Sequence, residues 1–178
     1  IFNTTLLEGS IIGMITVLAY SLFGGFRAVV FSDIIQFFVM ISAVILVVIF
    51  SIKNFGFAPL YTLPTSYFSL TGSYSILETL SWGIIAVSTL VDPNFYQRAF
   101  AAKNKVVAKK GILISTCFWI VFDLSLTFGA MYARSINPDA NSNYAYFQYA
   151  FDLLPHGVKG FFLAGIIATI LSTLDSYL

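Results

Sequence analysis

Long apolar runs, interrupted at regular intervals, set the pattern of this chain. Stretches near 9–23, 28–52, 77–90 and 111–132 carry almost no charge, and a further one, 161–174, runs close to the C-terminal end. A bilayer core takes about 20 apolar residues as helix, so these runs predict membrane spans. We place the spans at about 6–24, 28–51, 74–98, 107–134 and 158–178. A glycine pair, Gly24-Gly25, separates the first two, and Pro93 interrupts the third. Within the polar stretch 135–157, Tyr144, Phe147, Ala150, Phe151 and Leu154 recur at helical spacing. That predicts a short helix over about 143–154 at the outer membrane surface, serving as packing or as a lid.

Composition supports the pattern. Of 178 residues, 58% are hydrophobic and 10% charged, and mean hydropathy is +0.89. Soluble domains carry about 25% charged residues, so a polytopic membrane protein is the expectation. The fold class expected is all-α, a polytopic helix bundle forming one incomplete transmembrane domain over 1–178. The chain lacks an initiator Met and stops inside a helix, so a fragment is expected. Once the spans are set aside, no exposed basic surface is left for nucleic acid.

Charge placement gives an orientation. Arg27, Arg98, Lys103, Lys105, Lys109 and Lys110 are six of the nine basic residues, and all lie in the first and third loops. Short cytoplasmic loops collect Lys and Arg, which puts those two loops inside and the second and fourth outside. Cys117 is the only cysteine and His156 the only histidine, so no disulfide or Cys/His metal set exists within the chain. No nucleophile–base pair stands out, and no enzyme activity is expected.

The polar residues inside the spans are the candidates for chemistry, because ionisable groups in hydrocarbon are costly. Asp33, Asp123 and Asp175 are three such acids. Thr169, Ser172, Thr173 and Ser176 fall at i, i+3, i+4 and i+7, which puts four hydroxyls on one helix face. They either bond back to carbonyls one turn earlier or supply oxygens to a small hard cation. Gly165, Thr169, Ser172 and Ser176 also form a small-residue seam that suits close helix approach. At ~1.5 Å rise per residue, Thr169 lies roughly 16 Å below an outer entry near Val158, and Asp175 about 25 Å. Asp33 lies about 8 Å from the cytoplasmic edge, so the two acids reach similar depths. They either flank one cation site or, for Asp33, reach interfacial water. For Asp123 a structural hydrogen bond and a proton relay both remain open. Asp92-Pro93-Asn94 marks either a broken helix or the point where the third span emerges.

The segment Tyr20-Ser21-Leu22-Phe23-Gly24-Gly25-Phe26-Arg27-Ala28-Val29-Val30-Phe31-Ser32-Asp33-Ile34-Ile35-Gln36 resembles the signature of the sodium/solute symporter family. Gln97-Arg98 with Ala101-Ala102-Lys103 and Lys109-Lys110-Gly111 is similar to the family's next cytoplasmic loop. Leu154-Pro155, Lys159-Gly160 and the residues 168–176 resemble its eighth core helix. The resemblance implies a LeuT-type inverted-repeat fold, with this chain covering core helices four to eight. It implies a multi-pass protein of the cell membrane that carries a small organic solute by alternating access. Na+ would be the coupling ion, with no organic cofactor.

Carried over residue by residue, the resemblance implies a sodium site at Ser172 and Thr173, with Thr169 at the carbonyl position. It implies a possible second cation site at Asp33, Ser172, Asp175 and Ser176. The carboxylate at Asp175 departs from the hydroxyl of many members and would strengthen that site or bind a proton. Ser88 and Thr89 become possible substrate-facing residues. Ser88 stands where sugar carriers have an aromatic gate, Ile85 at a sugar-contacting position, and Asp92-Pro93 replaces Asp-Gln. A sugar is therefore disfavoured. A symporter-like sensory module of a signalling protein is the competing expectation, and coupling to protons through Asp175 or Asp123 is a third.

Overall fold

The computed structural model describes residues 5–176, apart from the side chains of Leu6 and Ser176. Among them are six α-helices and no strand: α1 Leu6–Phe55, α2 Ile76–Ala86, α3 Pro93–Phe100, α4 Lys105–Ile136, α5 Ala145–Leu153 and α6 His156–Ser176. Short 3₁₀ turns occupy Ala58–Thr62, Thr65–Phe68 and Val87–Val91. The fold is an all-α membrane helix bundle. Leu7–Phe55, Lys105–Ile136 and His156–Asp175 are each long and apolar enough to cross a membrane. Ile76–Val91 with Pro93–Phe100, bent by 49°, would add a fourth crossing if the pair forms one span.

α1 covers both of the first two expected spans. Fifty residues of straight helix would run roughly 75 Å, over twice a hydrocarbon core of about 30 Å. Gly25 resolves the mismatch. Its backbone stands at φ 59° and ψ −164°, non-helical and in a region essentially restricted to glycine. The break leaves an arm of 6–24 and a longer arm from 26 to 55. The glycine pair read from the sequence therefore marks a kink between two helical segments.

The third expected span divides for local reasons. Ser75 and Glu78 form a reciprocal capping box that starts α2. Helical winding tightens to 3₁₀ at Val87–Val91. Asp92 then caps α3 by accepting from the Asn94 N–H at 2.9 Å, with Pro93 at the first helical position, where its missing N–H does no harm. Asn104 caps α4 through the Val107 N–H at 2.9 Å.

Two compact units result. One comprises residues 1–50 and 148–178, the other 51–147. In the first, α6 packs along the longer arm of α1. Val47 and Val17 are fully buried, and Ala43 and Phe162 nearly so. The closest approach is at Gly165, where an added Cβ would stand 2.6 Å from the Ala43 Cβ and 3.6 Å from the Val39 carbonyl oxygen. Glycine in this seam is what lets two backbones come together. Phe151 meets Phe162 edge-on at 5.8 Å. In the second unit, α4 packs on the 3₁₀ turn Ala58–Thr62. The Tyr132 hydroxyl donates to the Gly56 carbonyl at 2.7 Å. The Tyr146 ring lies against Gly129. In α5, Tyr149 and Ala150 are buried, while Tyr144 and Phe147 of the expected aromatic face are exposed.

Replacing Gly165 with Val should drive the side chain into Ala43 and cost about 1–3 kcal/mol, as overpacking does. Thermal unfolding of the complete protein in detergent should show a midpoint several degrees lower. A midpoint equal to wild type would contradict the close approach.

Candidate cation site

The C-terminal half of α6 divides by face. Thr169 donates to the Gly165 carbonyl and Thr173 to the Thr169 carbonyl, both at 2.9 Å, and both side chains are exposed. These are the one-turn-back bonds open to any helical hydroxyl. Ser172 points differently. Its hydroxyl donates across to Asp33 Oδ1 on α1 at 2.9 Å. One turn further on, Asp175 is only 4% exposed. Its Oδ2 accepts from the Tyr20 hydroxyl at 2.5 Å. The Ser32 hydroxyl stands 3.4 Å from the same oxygen and donates to the Val29 carbonyl at 2.9 Å.

The positions follow from helix geometry. Ser32, Asp33 and Gln36 lie at i, i+1 and i+4 on the longer arm of α1, and Ser172 and Asp175 at i and i+3 on α6, so each set shares a face. Tyr20 comes from the other arm, across the Gly25 break. Three helical segments thereby converge on one carboxyl group. Asp33 lies close enough to Asp175 for the two to interact, and Ser32 and Gln36 flank the Tyr20 hydroxyl. No basic side chain belongs to this cluster. Two of its buried acceptors, Asp175 Oδ1 and Gln36 Oε1, have no hydrogen-bond partner. An unsatisfied buried acceptor typically costs about 1–3 kcal/mol.

Of the residues expected from the sequence, the structure brings Asp33, Ser172 and Asp175 together. Thr169 and Thr173 share the helix with them and point to its exposed side. Ser176 ends α6, and its side chain lies outside the described residues. Ser88 and Thr89 belong to the other compact unit, where both are exposed on the 3₁₀ turn Val87–Val91. Asp123 is exposed on α4. Tyr20, Ser32 and Gln36 were not among the expected site residues. The spacing of Ser32, Asp33 and Gln36 within an apolar run was the signal for two of them.

The donors here are oxygens alone: two carboxylates, hydroxyls and one amide. Such a set suits a hard cation. Among the described residues, no three His, Cys, Asp or Glu side chains come together in a way that would hold a metal ion.

Comparison with known proteins identifies the family. The model of the sodium:solute symporter family matches residues 2–178, and the chain belongs to that family. It is 28% identical over 174 residues to a sodium/pantothenate symporter of Haemophilus influenzae, covering 92% of this chain and 36% of that protein. The sodium/pantothenate symporter of Escherichia coli is 25% identical over 180 residues, covering 96% and 37% respectively. Sodium/glucose cotransporter 4 of Mus musculus is 23% identical over 211 residues, covering 94% and 31%. The chain therefore spans about a third of the length of these relatives, all of which are transporters. No solved structure matches.

Tyr20→Phe and Asp175→Asn, combined in a double-mutant cycle on the complete protein, should show coupling. A hydrogen bond to a charged group contributes about 1.5–3 kcal/mol, and thermal unfolding in detergent reads it. Additive effects would mean the two groups do not act on each other.

Proposed function

We propose that this chain is the part of a sodium-coupled symporter that holds much of its cation site, in a multi-pass protein of the cell membrane. The observation that carries the reading is the buried junction of Ser172 with Asp33 and of Asp175 with Tyr20, built between helices otherwise apolar. A membrane bundle has reason to set a buried acid, Asp175, beside a half-buried one, Asp33, where a cation passes.

In this reading Ser172 and Thr173, with the Thr169 carbonyl, supply the main sodium site, and Asp33, Ser172, Asp175 and Ser176 a second. The bonds already made by Ser172 and Thr173 do not oppose this. A hydroxyl that donates its proton to Asp33 or to a carbonyl keeps two lone pairs for a cation. Sodium bound there would favour the outward-open state and complete the solute site, and the repeats would then rock to release both inward. Each sodium entering with the membrane potential contributes roughly 2.3 kcal/mol per 100 mV.

The solute is a small organic molecule, with a non-sugar favoured. Small hydroxyl side chains, Ser88 and Thr89, stand on a tightened, exposed turn where a solute could be met. Some relatives are named for pantothenate, a carboxylate, and others for glucose or myo-inositol; the absent aromatic at Ser88 favours the former. A carboxylate solute is the reading adopted.

Uptake by the complete protein in vesicles should require an inward sodium gradient and should prefer pantothenate-like carboxylates over sugars. Ser172→Ala with Thr173→Ala should raise the half-saturating sodium concentration at least tenfold while the protein stays folded. Unchanged sodium dependence would remove these residues from the site, and preferential sugar uptake would overturn the solute class.

A further inference from the structure

Two buried acceptor atoms in one cluster lack donors: Asp175 Oδ1 and Gln36 Oε1. Each alone would be an oddity; together they share a neighbour. Gln36 stands beside the Tyr20 hydroxyl, which gives its proton to Asp175 Oδ2 at 2.5 Å. Ser32 spends its proton on the Val29 carbonyl, its shorter contact, and Ser172 donates to Asp33. The hydroxyls that could have served these two oxygens are thus directed elsewhere. What remains is a pair of buried oxygens, Asp175 Oδ1 and Gln36 Oε1, without a hydrogen-bond partner.

We infer that Gln36 is a ligand of the cation held at Asp175, its amide oxygen completing the second site as a neutral donor. The assignment rests on the sodium reading above and extends it to a residue outside the expected ligand set. A neutral amide oxygen beside two carboxylates is what a monovalent ion needs. It adds coordination without adding a third negative charge to a cluster that has no basic side chain. Its position also matters. Gln36 lies on the longer arm of α1 one turn beyond Asp33, so a cation bridging it to Asp175 would tie that arm to α6 through two successive turns.

A proton on Asp175 shared with Gln36 would satisfy the same two atoms, and the experiment separates the two cases. Sodium-induced stabilisation of the complete protein, read as the shift in thermal unfolding midpoint against sodium concentration at constant ionic strength, needs no transport. Gln36→Leu should raise the half-maximal sodium concentration about tenfold, whereas Gln36→Asn, which keeps a neutral amide oxygen, should stay within about threefold of wild type. If Gln36→Leu does not fold, Gln36→Met, unbranched and without oxygen, replaces it in the comparison. A Leu or Met variant indistinguishable from wild type overturns the assignment in favour of the shared proton. Equal impairment of the Leu and Asn variants overturns it in favour of a packing role. A wild-type protein that shows no sodium response at all overturns the sodium reading itself, which distinguishes that failure from this one.

Discussion

Placing a carboxyl group where water does not reach is the constraint from which the rest of this structure follows. Asp175 sits on a helix that is mainly apolar, and it is 4% exposed. A charge in such surroundings is stable only when paired or bonded. The chain meets that demand from two directions. Tyr20 approaches from one arm of α1 and Ser32 from the other. To bring both to a single oxygen, α1 has to break between them, and it breaks at Gly25. The acid, the phenol and the left-handed glycine form one arrangement rather than three features.

Close packing is the second requirement. Bonds of 2.5–2.9 Å between α1 and α6 need the two backbones near each other. The apolar faces alone would leave them at the distance set by Val and Ile side chains. Gly165 removes that spacing two turns above Ser172, where the helix meets Ala43. The seam and the polar cluster therefore support one another. The glycine sets the distance, and the hydrogen bonds fix the rotation of α6 about its own axis.

Much of this was legible in the sequence, and the exceptions have physical causes. Apolar run length revealed the helices, and of the expected seam Gly165, Thr169, Ser172 and Ser176, Gly165 meets α1 and Ser172 bonds to it, while Thr169 is exposed. Depth arithmetic placed Asp33 and Asp175 at one level, and they are neighbours. Hydroxyl spacing alone did not separate Ser172 from Thr169 and Thr173. A face some 100° wide takes in all three, whereas contact with α1 admits only one. Tyr20 was hidden because a lone tyrosine in an apolar helix is common, and only the turn at Gly25 gives it a partner. Tyr149 of the short helix α5 is buried while Tyr144, just before that helix, is exposed, a choice that aromatic spacing alone does not make. The division of the third span was signalled by Asp92-Pro93, but the tightening at Val87–Val91 has no residue marker of its own.

Leverage is what the single odd peptide at Gly25 adds. The arm of α1 before it, 6–24, is about 28 Å long at helical rise. Turning such a rod by only 20° about its base would sweep its free end through roughly 10 Å. Any influence that reaches the Tyr20 phenol, one and a half turns from the pivot, acts on that rod near its fulcrum, so a sub-ångström adjustment beside the carboxyl group is multiplied severalfold at the far end.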